Sequence, residues 1–588
     1  MGARDVARAG AVTGIVMVFL AMVGLMERFT RLNLVGTQIT FARLMLVIAP
    51  FVAGAVLVRP RVVAGVRRDE GFGGAWKVGL GVGAVAGAVF AAAMVMADVI
   101  GVERIRSIFL NVSPALMEFV TFGLPVLAGG LALVALSAVA GLAGALYRVL
   151  PGNVRKPVGA ALSAVLVMGF LQRIIPIAMD QRNLEREWLY SKVTEGLTWP
   201  GAFIVAAVAV GASWFRARKG ASIRALVHLG ARRGAGVSPA SFLWLAVVAG
   251  GVLLVPYVGG SVVAEVLGTV LVFVLLGLGL NIVVGYAGLL DLGYVFFFAT
   301  GAYSLALLTG ATLNTFTGSG EPAVSLDLSF YLAIPIVMLL AAGAGILIGA
   351  PVLRLRGDYL ALVTLGLGEM VTVLVRSPWL VPLVGGPNGM RGVTDAQLAG
   401  FAFRDEKHFY FLAVAFVVFA VFVSWRLAAS RIGRAWTAMR EDEQTADAMG
   451  VNTTRFKLLA FALGGAVGSL GGALFAVKIG SLTPASFEIL VSIQVLGIVI
   501  LGGLGSLPGV VTGALVLVGL PGLLREFEEY RLLAYGAALV AVMILRPQGL
   551  VPNVRRSREL HEEEVEQDAW QKIFQEGEEG ELRPEAGA

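Results

Sequence analysis

The chain contains no cysteine, so disulfides and thiolate metal sites are excluded. Its three histidines, His228, His408 and His561, lie far apart in the sequence and argue against a histidine metal centre. No Gly-Lys dipeptide occurs anywhere, which removes a phosphate cradle of the GxxxxGK[ST] type, and GxSxG and HExxH are missing as well. A chain without that cradle is not an ATPase, and no motif recommends it as an enzyme. Charge is scarce too: 14% of residues are Asp, Glu, Lys or Arg, where soluble domains carry about 25%. Apolar residues fill the space, at 57% of 588 with a mean hydropathy of +0.84, as in a polytopic membrane protein. The formal charge of +7 sits in loops between apolar runs, a pattern for membrane headgroups rather than nucleic acid.

The runs predict an all-α, polytopic transmembrane helical bundle of about sixteen spans. About six fall in residues 1–240: Ala11 to Met26, Ile39 to Val58, Trp76 to Ala97, Phe119 to Tyr147, Val158 to Met179 and Trp199 to Phe215. The first follows MGARDVARAG and resembles a signal sequence, but it ends in Glu27-Arg28 without a small-x-small site and reads as an uncleaved span. About ten more are expected in 241–554: Ser241 to Val258, Ser261 to Gly285, Gly288 to Leu308, Ser329 to Pro351, Tyr359 to Val375, Phe409 to Ala428, Leu458 to Lys478, Leu490 to Leu504, Pro508 to Leu524 and Arg531 to Leu545. Leu490 to Leu504 is short and runs into GGLGSLPG, which suits a re-entrant or broken helix. Residues 555–588 turn from RRSR to HEEEVEQ and EGEEGE, a solvated, partly disordered cytoplasmic tail.

Loop charge sets the expected orientation. Arg59, Arg61, Arg67 and Arg68 follow the second run, Arg148, Arg155 and Lys156 the fourth, and Arg216, Arg218, Lys219, Arg224, Arg232 and Arg233 the sixth. The positive-inside rule puts these loops and both termini in the cytoplasm. Thr309 to Leu328, with no Lys or Arg, is then outside, while Arg354, Arg356, Arg431 and Arg434 are inside.

Ser430 to Lys457 stands apart, with SRIGRAWTAMREDEQTADAMGVNTTRFK between two apolar runs. Ala435 to Met449 is rich in helix formers and is followed by Gly450, suited to a left-handed cap. Fifteen residues make about 22 Å, too short for a core of about 30 Å, so this helix is expected to lie along the membrane surface. Trp436, Met439, Ala446 and Met449 fall near one face, which Arg440, Glu441, Asp442 and Glu443 interrupt with charge. Asn452 is placed to cap the next helix, whose Arg455 and Lys457 would hold its start at the headgroups.

This stretch resembles the EAA-type cytoplasmic loop of ABC importer permeases, in the variant form Glu441-Asp442-Glu443 through Ala448-Met449-Gly450. From about Leu243 to Arg556 the chain is similar to the LivM-type permeases of branched-chain amino-acid importers. The matching segments are LGLNIVVGYAGLLDLGYVFFFATGAY (Leu278 to Tyr303), RLRGDYLALVTLGLGEM (Arg354 to Met370), GGPNGM (Gly385 to Met390), the loop itself, ILGGLGSLPGVVTGA (Ile500 to Ala514) and RPQGL (Arg546 to Leu550). Residues 1–240 are not covered in this way. The resemblance implies a bacterial inner-membrane subunit that binds no cofactor itself, working with two ABC ATPase subunits that carry ATP-Mg, a second homologous permease of LivH type, a periplasmic solute-binding protein and membrane lipid. ATPase coupling would then fall to Arg434, Trp436, Met439, Arg440, Glu441, Asp442, Glu443, Ala448, Met449 and Gly450.

Polar residues in apolar runs are candidates for the translocation path: Asn281, Asp291, Thr364 and Glu369. Asn281 and Asp291 flank Gly285 and Gly288, where a helix could break. Asp291 reads first as a cap for a helix from Leu292 or as fixing the turn, and Glu369 could equally make an interhelical hydrogen bond or salt bridge. Trp379, Asn388 and Arg391, in and beside the turn-rich Gly385 to Gly389, are candidate contacts for the binding protein. The small residues Gly464, Gly465, Gly468, Gly471 and Gly472 read as close helix packing rather than pore. Three functions stay open beside the amino-acid permease: a urea or short-amide ABC permease, an ion-coupled secondary transporter using Asp291 or Glu369, and a membrane scaffold built on the N-terminal spans.

Overall fold

The computed structural model describes residues 3–30, 32–58, 61–63, 66–68, 72–107, 109, 111–172, 174–180, 185–192, 194–232, 239–315, 318–320, 322, 326–352, 358–398, 401–523, 536, 540 and 548–551. Arg354, Arg356, the tail from residue 555 and, apart from Gly536 and Val540, the span expected at Arg531 to Leu545 lie outside them. The chain divides into two compact units, Met1–Val247 and Val248–Ala588. Among the described residues nine helices are long and apolar enough to cross a membrane, and four shorter helices are apolar.

The first unit contains α1 (Ala3–Met22), α2 (Phe41–Leu57), α3 (Phe72–Ile100), α4 (Val102–Arg106), α5 (Pro114–Val120), α6 (Val126–Val149), α7 (Gly152–Phe170), α8 (Ile174–Asp180) and α9 (Trp199–Arg232). In lipid, apolar side chains gain little by leaving the solvent, so helices associate by close backbone approach. Here a Cβ at Gly83 of α3 would run into the backbone of Ser137 on α6, and one at Gly54 of α2 into that of Gly141. Met17, Leu46, Phe90, Leu116 and Leu133 form the core. Three expected spans differ. Ala11 to Met26 is helical only to Met22, because Gly24 (φ 84°) breaks it before a short helix at Leu25–Phe29. Phe119 to Tyr147 is interrupted at Phe122 and Gly123, with φ of 58° and 72°, so its helix starts at Val126. Val158 to Met179 is two helices, because α7 ends at Phe170 and Pro176, without an N–H to donate, sits in the first turn of α8.

The second unit is built on the part of α10 (Pro239–Leu280) from Val248 onward, broken at Gly260 (φ 76°, ψ −173°), where the sequence separates two spans. Its second limb passes into a π-helix, Asn281–Tyr286. Then follow α11 (Val295–Leu308), α12 (Phe330–Val352), α13 (Asp358–Arg376), α14 (Glu406–Ala429), α15 (Arg431–Glu441), α16 (Glu443–Ala448), α17 (Thr453–Ile479), α18 (Ile489–Gly502) and α19 (Leu507–Ala514). The span expected from Gly288 begins as a helix only at Val295, since 287–294 is an irregular segment, exposed at Gly288 and Leu290 and buried at Asp291, Gly293 and Tyr294. Chain reversal after Gly502 returns α19 along α18, with Gly502 and Gly509 in backbone contact. A small antiparallel sheet in the order β4-β3-β1-β2 joins Ser481–Leu482 (β4), Met390–Arg391 (β3), Thr312–Thr315 (β1) and Gly318–Gly320 (β2). Since α17 has 27 residues, about 40 Å of helix, this sheet lies at the opposite end of α17 from α15 and α16.

Candidate functional site

The π-helix is the junction of the second unit. One wide turn re-aims the side chains after it, and such turns concentrate at functional sites. Asn281, fully buried, accepts the Gly505 N–H through Oδ1 at 2.9 Å and so holds the reversal between α18 and α19. At the other end, Arg440 of α15 donates from Nη1 to the Gly285 carbonyl at 2.7 Å. Gly288 then adopts φ +73°, and any Cβ there would overlap the Arg440 side chain. Both the backbone and the contact demand glycine.

The irregular segment after the π-helix is pinned on three sides. Asp291 Oδ1 accepts the Gly293 N–H at 2.9 Å, Leu292 N–H reaches Thr364 Oγ1 at 3.0 Å, and Val295 N–H reaches Ser492 Oγ at 2.8 Å. Asp291 therefore fixes a turn, and the helix begins four residues later, at Val295. Its Oδ2 has no protein partner among the described residues, and the residue borders a cavity of about 10 Å³ shared with Phe297, Thr364 and Phe461. Tyr294 donates its hydroxyl to Gly464 O at 2.7 Å, in a space left by Gly279 and Gly468. The glycines of α17 thus pack against neighbouring helices.

The surface stretch forms two helices, where the sequence predicts one. Its helix-forming composition continues through Asp442, but that residue is extended (φ −152°, ψ 111°) and accepts the N–H groups of Gln444 at 2.8 Å and Thr445 at 3.0 Å, which starts α16 afresh. The Thr445 N–H and then the Thr445 hydroxyl hold this exposed carboxyl below the usual aspartate range, helped by the Gln444 N–H and opposed by desolvation. Ser430 caps α15 and Asn452 caps α17. Gly450 (φ 87°) ends α16 with Gly450 N–H to Asp447 O and Val451 N–H to Ala446 O.

The break divides the expected face. Trp436, Met439 and Ala446 are buried in the core of the unit, and the Trp436 indole donates to Phe456 O at 2.8 Å. Met449 is 81% exposed instead of sharing their face. Arg434, Glu441, Asp442, Ala448 and Gly450 are exposed with it, while Arg440 and Glu443 are half-buried. Lys457 was expected at the headgroups with Arg455, but it is buried and pairs with Glu443 at 2.6 Å.

The sequence resemblance implies one surface helix here; the structure has a pair, bonded through Arg440 to the π-helix. Residues 262–545 match the family model described as branched-chain amino acid transport system / permease component. The high-affinity branched-chain amino acid transport system permease protein LivM of Escherichia coli is 42% identical over 308 residues, 48% of this chain and 69% of that protein. The chain belongs to the branched-chain amino acid transport permease family. The probable LivM of Methanocaldococcus jannaschii is 25% identical over 316 residues, covering 48% of this permease and 90% of its relative. LivH of Escherichia coli is 29% identical over 140 residues, 24% of this permease and 44% of LivH. No solved structure matches the permease.

The remaining residues of the permease separate into different places. Thr364 faces inward and Glu369 outward on α13. Five residues on a helix turn the side chain by about 140°, so the two cannot share one path-lining face. Glu369 lies among exposed Leu362, Met370 and Val373. Trp379 is 91% exposed, and Arg391 is exposed in β3, where its carbonyl accepts from Thr312 Oγ1 at 3.2 Å. Asn388 is half-buried in the short helical turn Gly386–Asn388 immediately before that strand. Sequence reading missed Lys478, whose ammonium donates to Thr269 Oγ1 at 2.6 Å and to Glu265 O and lies 5.7 Å over the Phe409 ring. Its signal was present: it is a cation at the end of a long apolar run.

Proposed function

We propose that this permease is one membrane subunit of an ABC importer for branched-chain amino acids in a bacterial inner membrane, with both termini in the cytoplasm. The bond from Arg440 to Gly285 carries the reading, because it ties a surface helix to a broken helix of the core. In this scheme two ATPase subunits bind ATP-Mg and close, one of them resting on exposed Glu441, Ala448 and Met449. Trp436 and Met439 anchor that helix from beneath, and Arg440 passes its displacement to the π-helix, hence through Asn281 to the reversal at Gly505. This chain couples energy to movement and makes no bonds.

A second permease of LivH type completes the pathway. The weaker likeness to LivH supports such a pair, and the outward face of α13, apolar between its ends except for Glu369, suits a path closed by that partner. A solute-binding protein would dock at the opposite end, near Trp379, Asn388 and Arg391.

Affinity purification from the native membrane tests the docking. The intact chain should recover an ATPase pair, and the exposed-face variant Glu441→Lys with Met449→Asp should lose it while keeping the second permease. Recovery of the ATPases with both versions, or with neither under conditions that retain the second permease, refutes the assignment.

A further inference from the structure

The first unit contains a cavity of about 510 Å³ between the ends of α1, α3 and α5, beneath α4. That is within the range of about 300–1,000 Å³ usual for small-molecule sites. Its walls are Phe90, Met94, Ala97, Leu116 and Val120, and Arg104 of α4 is its charged lining residue. No wall residue can read an amino acid's ammonium group, so the site does not suit the proposed cargo. Around it Met96, Ile100 and Phe109 are exposed apolar side chains. In a membrane-spanning unit such a rim borders hydrocarbon, where an empty hollow would forfeit dispersion contacts that an acyl chain supplies.

Arg104 decides the headgroup. It is exposed, and among the described residues its guanidinium has no hydrogen-bond or ion-pair partner. The nearby acids Asp98, Glu103 and Glu118 do not line the cavity. α4 follows α3 immediately after Gly101 (φ 91°), which puts Arg104 one turn beyond the end of a transmembrane helix, at headgroup depth. We propose that this cavity is a binding site for an anionic phospholipid, with one acyl chain inside and the phosphate at Arg104.

The intact chain, reconstituted in mixed vesicles, tests this with phosphatidylglycerol or phosphatidylcholine bearing a photoactivatable acyl chain, with labelled peptides mapped by mass spectrometry. Residues 90–120 should take more label from phosphatidylglycerol, by about fivefold for one basic group at the surface. Arg104→Gln, at an exposed position, should bring the two probes level without reducing phosphatidylcholine labelling. Ala97→Phe should lower labelling by both several-fold. Equal labelling of the unaltered chain by the two probes overturns the headgroup assignment. Unchanged labelling in a folded Ala97→Phe chain overturns the cavity. Crosslinking of this segment to a protein subunit in native membranes, in place of lipid, overturns the choice of occupant.

Discussion

Arg440→Ala separates holding an ATPase from obeying it. A hydrogen bond from a charged donor contributes about 1.5–3 kcal/mol, and Arg440 makes one to Gly285 O at 2.7 Å. Only the part of that energy that differs between inward-open and outward-open states biases their equilibrium. If the bond exists in one state alone, its loss of about 2 kcal/mol shifts the equilibrium roughly 30-fold. The assay is ATP hydrolysed per amino acid delivered, in proteoliposomes containing the ATPases and binding protein. The variant should keep its ATPase pair and its hydrolysis while transport falls by an order of magnitude. Gly288→Ala approaches the same contact from the other side, since a left-handed alanine costs about 1–2 kcal/mol and its Cβ meets Arg440; it should uncouple in the same sense. An unchanged ratio in both variants, or loss of the ATPases from both, refutes transmission through this bond.

The Glu443 and Lys457 pair makes an asymmetric prediction: Glu443→Ala strands an ammonium whose side chain is 5% exposed, lowering stability by about 3–5 kcal/mol, whereas Lys457→Met leaves a carboxylate that is 29% exposed and can be hydrated, and should cost less. Thermal unfolding in detergent distinguishes the two, and equal losses contradict the burial argument. Asn281→Leu orphans the Gly505 N–H and should cost about 1–3 kcal/mol with loss of transport, while Asn281→Asp keeps the acceptor and should retain more of both. For Asp442 the folded carboxyl titrates below its unfolded value, so its stabilisation of α16 is complete above the ordinary aspartate value, about 3.9, and disappears as pH falls through the lower folded one. Hydrogen exchange of 442–450 should thus be constant near neutrality and rise in acid after correction for intrinsic rate. Asp442→Asn should flatten that dependence.

The elements read most directly from sequence were those set by local chemistry. Asn452 and Gly450 announce a cap and a stop, and Gly260 divides two apolar runs because its backbone is left-handed. The surface helix was legible as amphipathic, but its phase was not: helix formers flank Asp442 on both sides, and although Asp is a favoured cap, only its side chain folding back onto Gln444 and Thr445 shows that it resets the helix, leaving Met449 outside. Trp436 and Met439 carry an ambiguous signal, since an apolar stripe on a surface helix can face a partner or its own chain. The spacing of Thr364 and Glu369 already forbids a common face, and helical phase alone could have separated them. The π-helix leaves almost no trace, because its wide turn is enforced by tertiary bonds to Gly505 and Arg440 rather than by propensity.

The four-stranded sheet limits how the second unit can move. Its backbone bonds lash the trailing end of α17 to segments that follow α11 and α13, so these three pieces swing as a single plate. Splaying them apart would break main-chain ladders at both neighbours of β3. Any rearrangement that keeps both ladders must carry the three segments together.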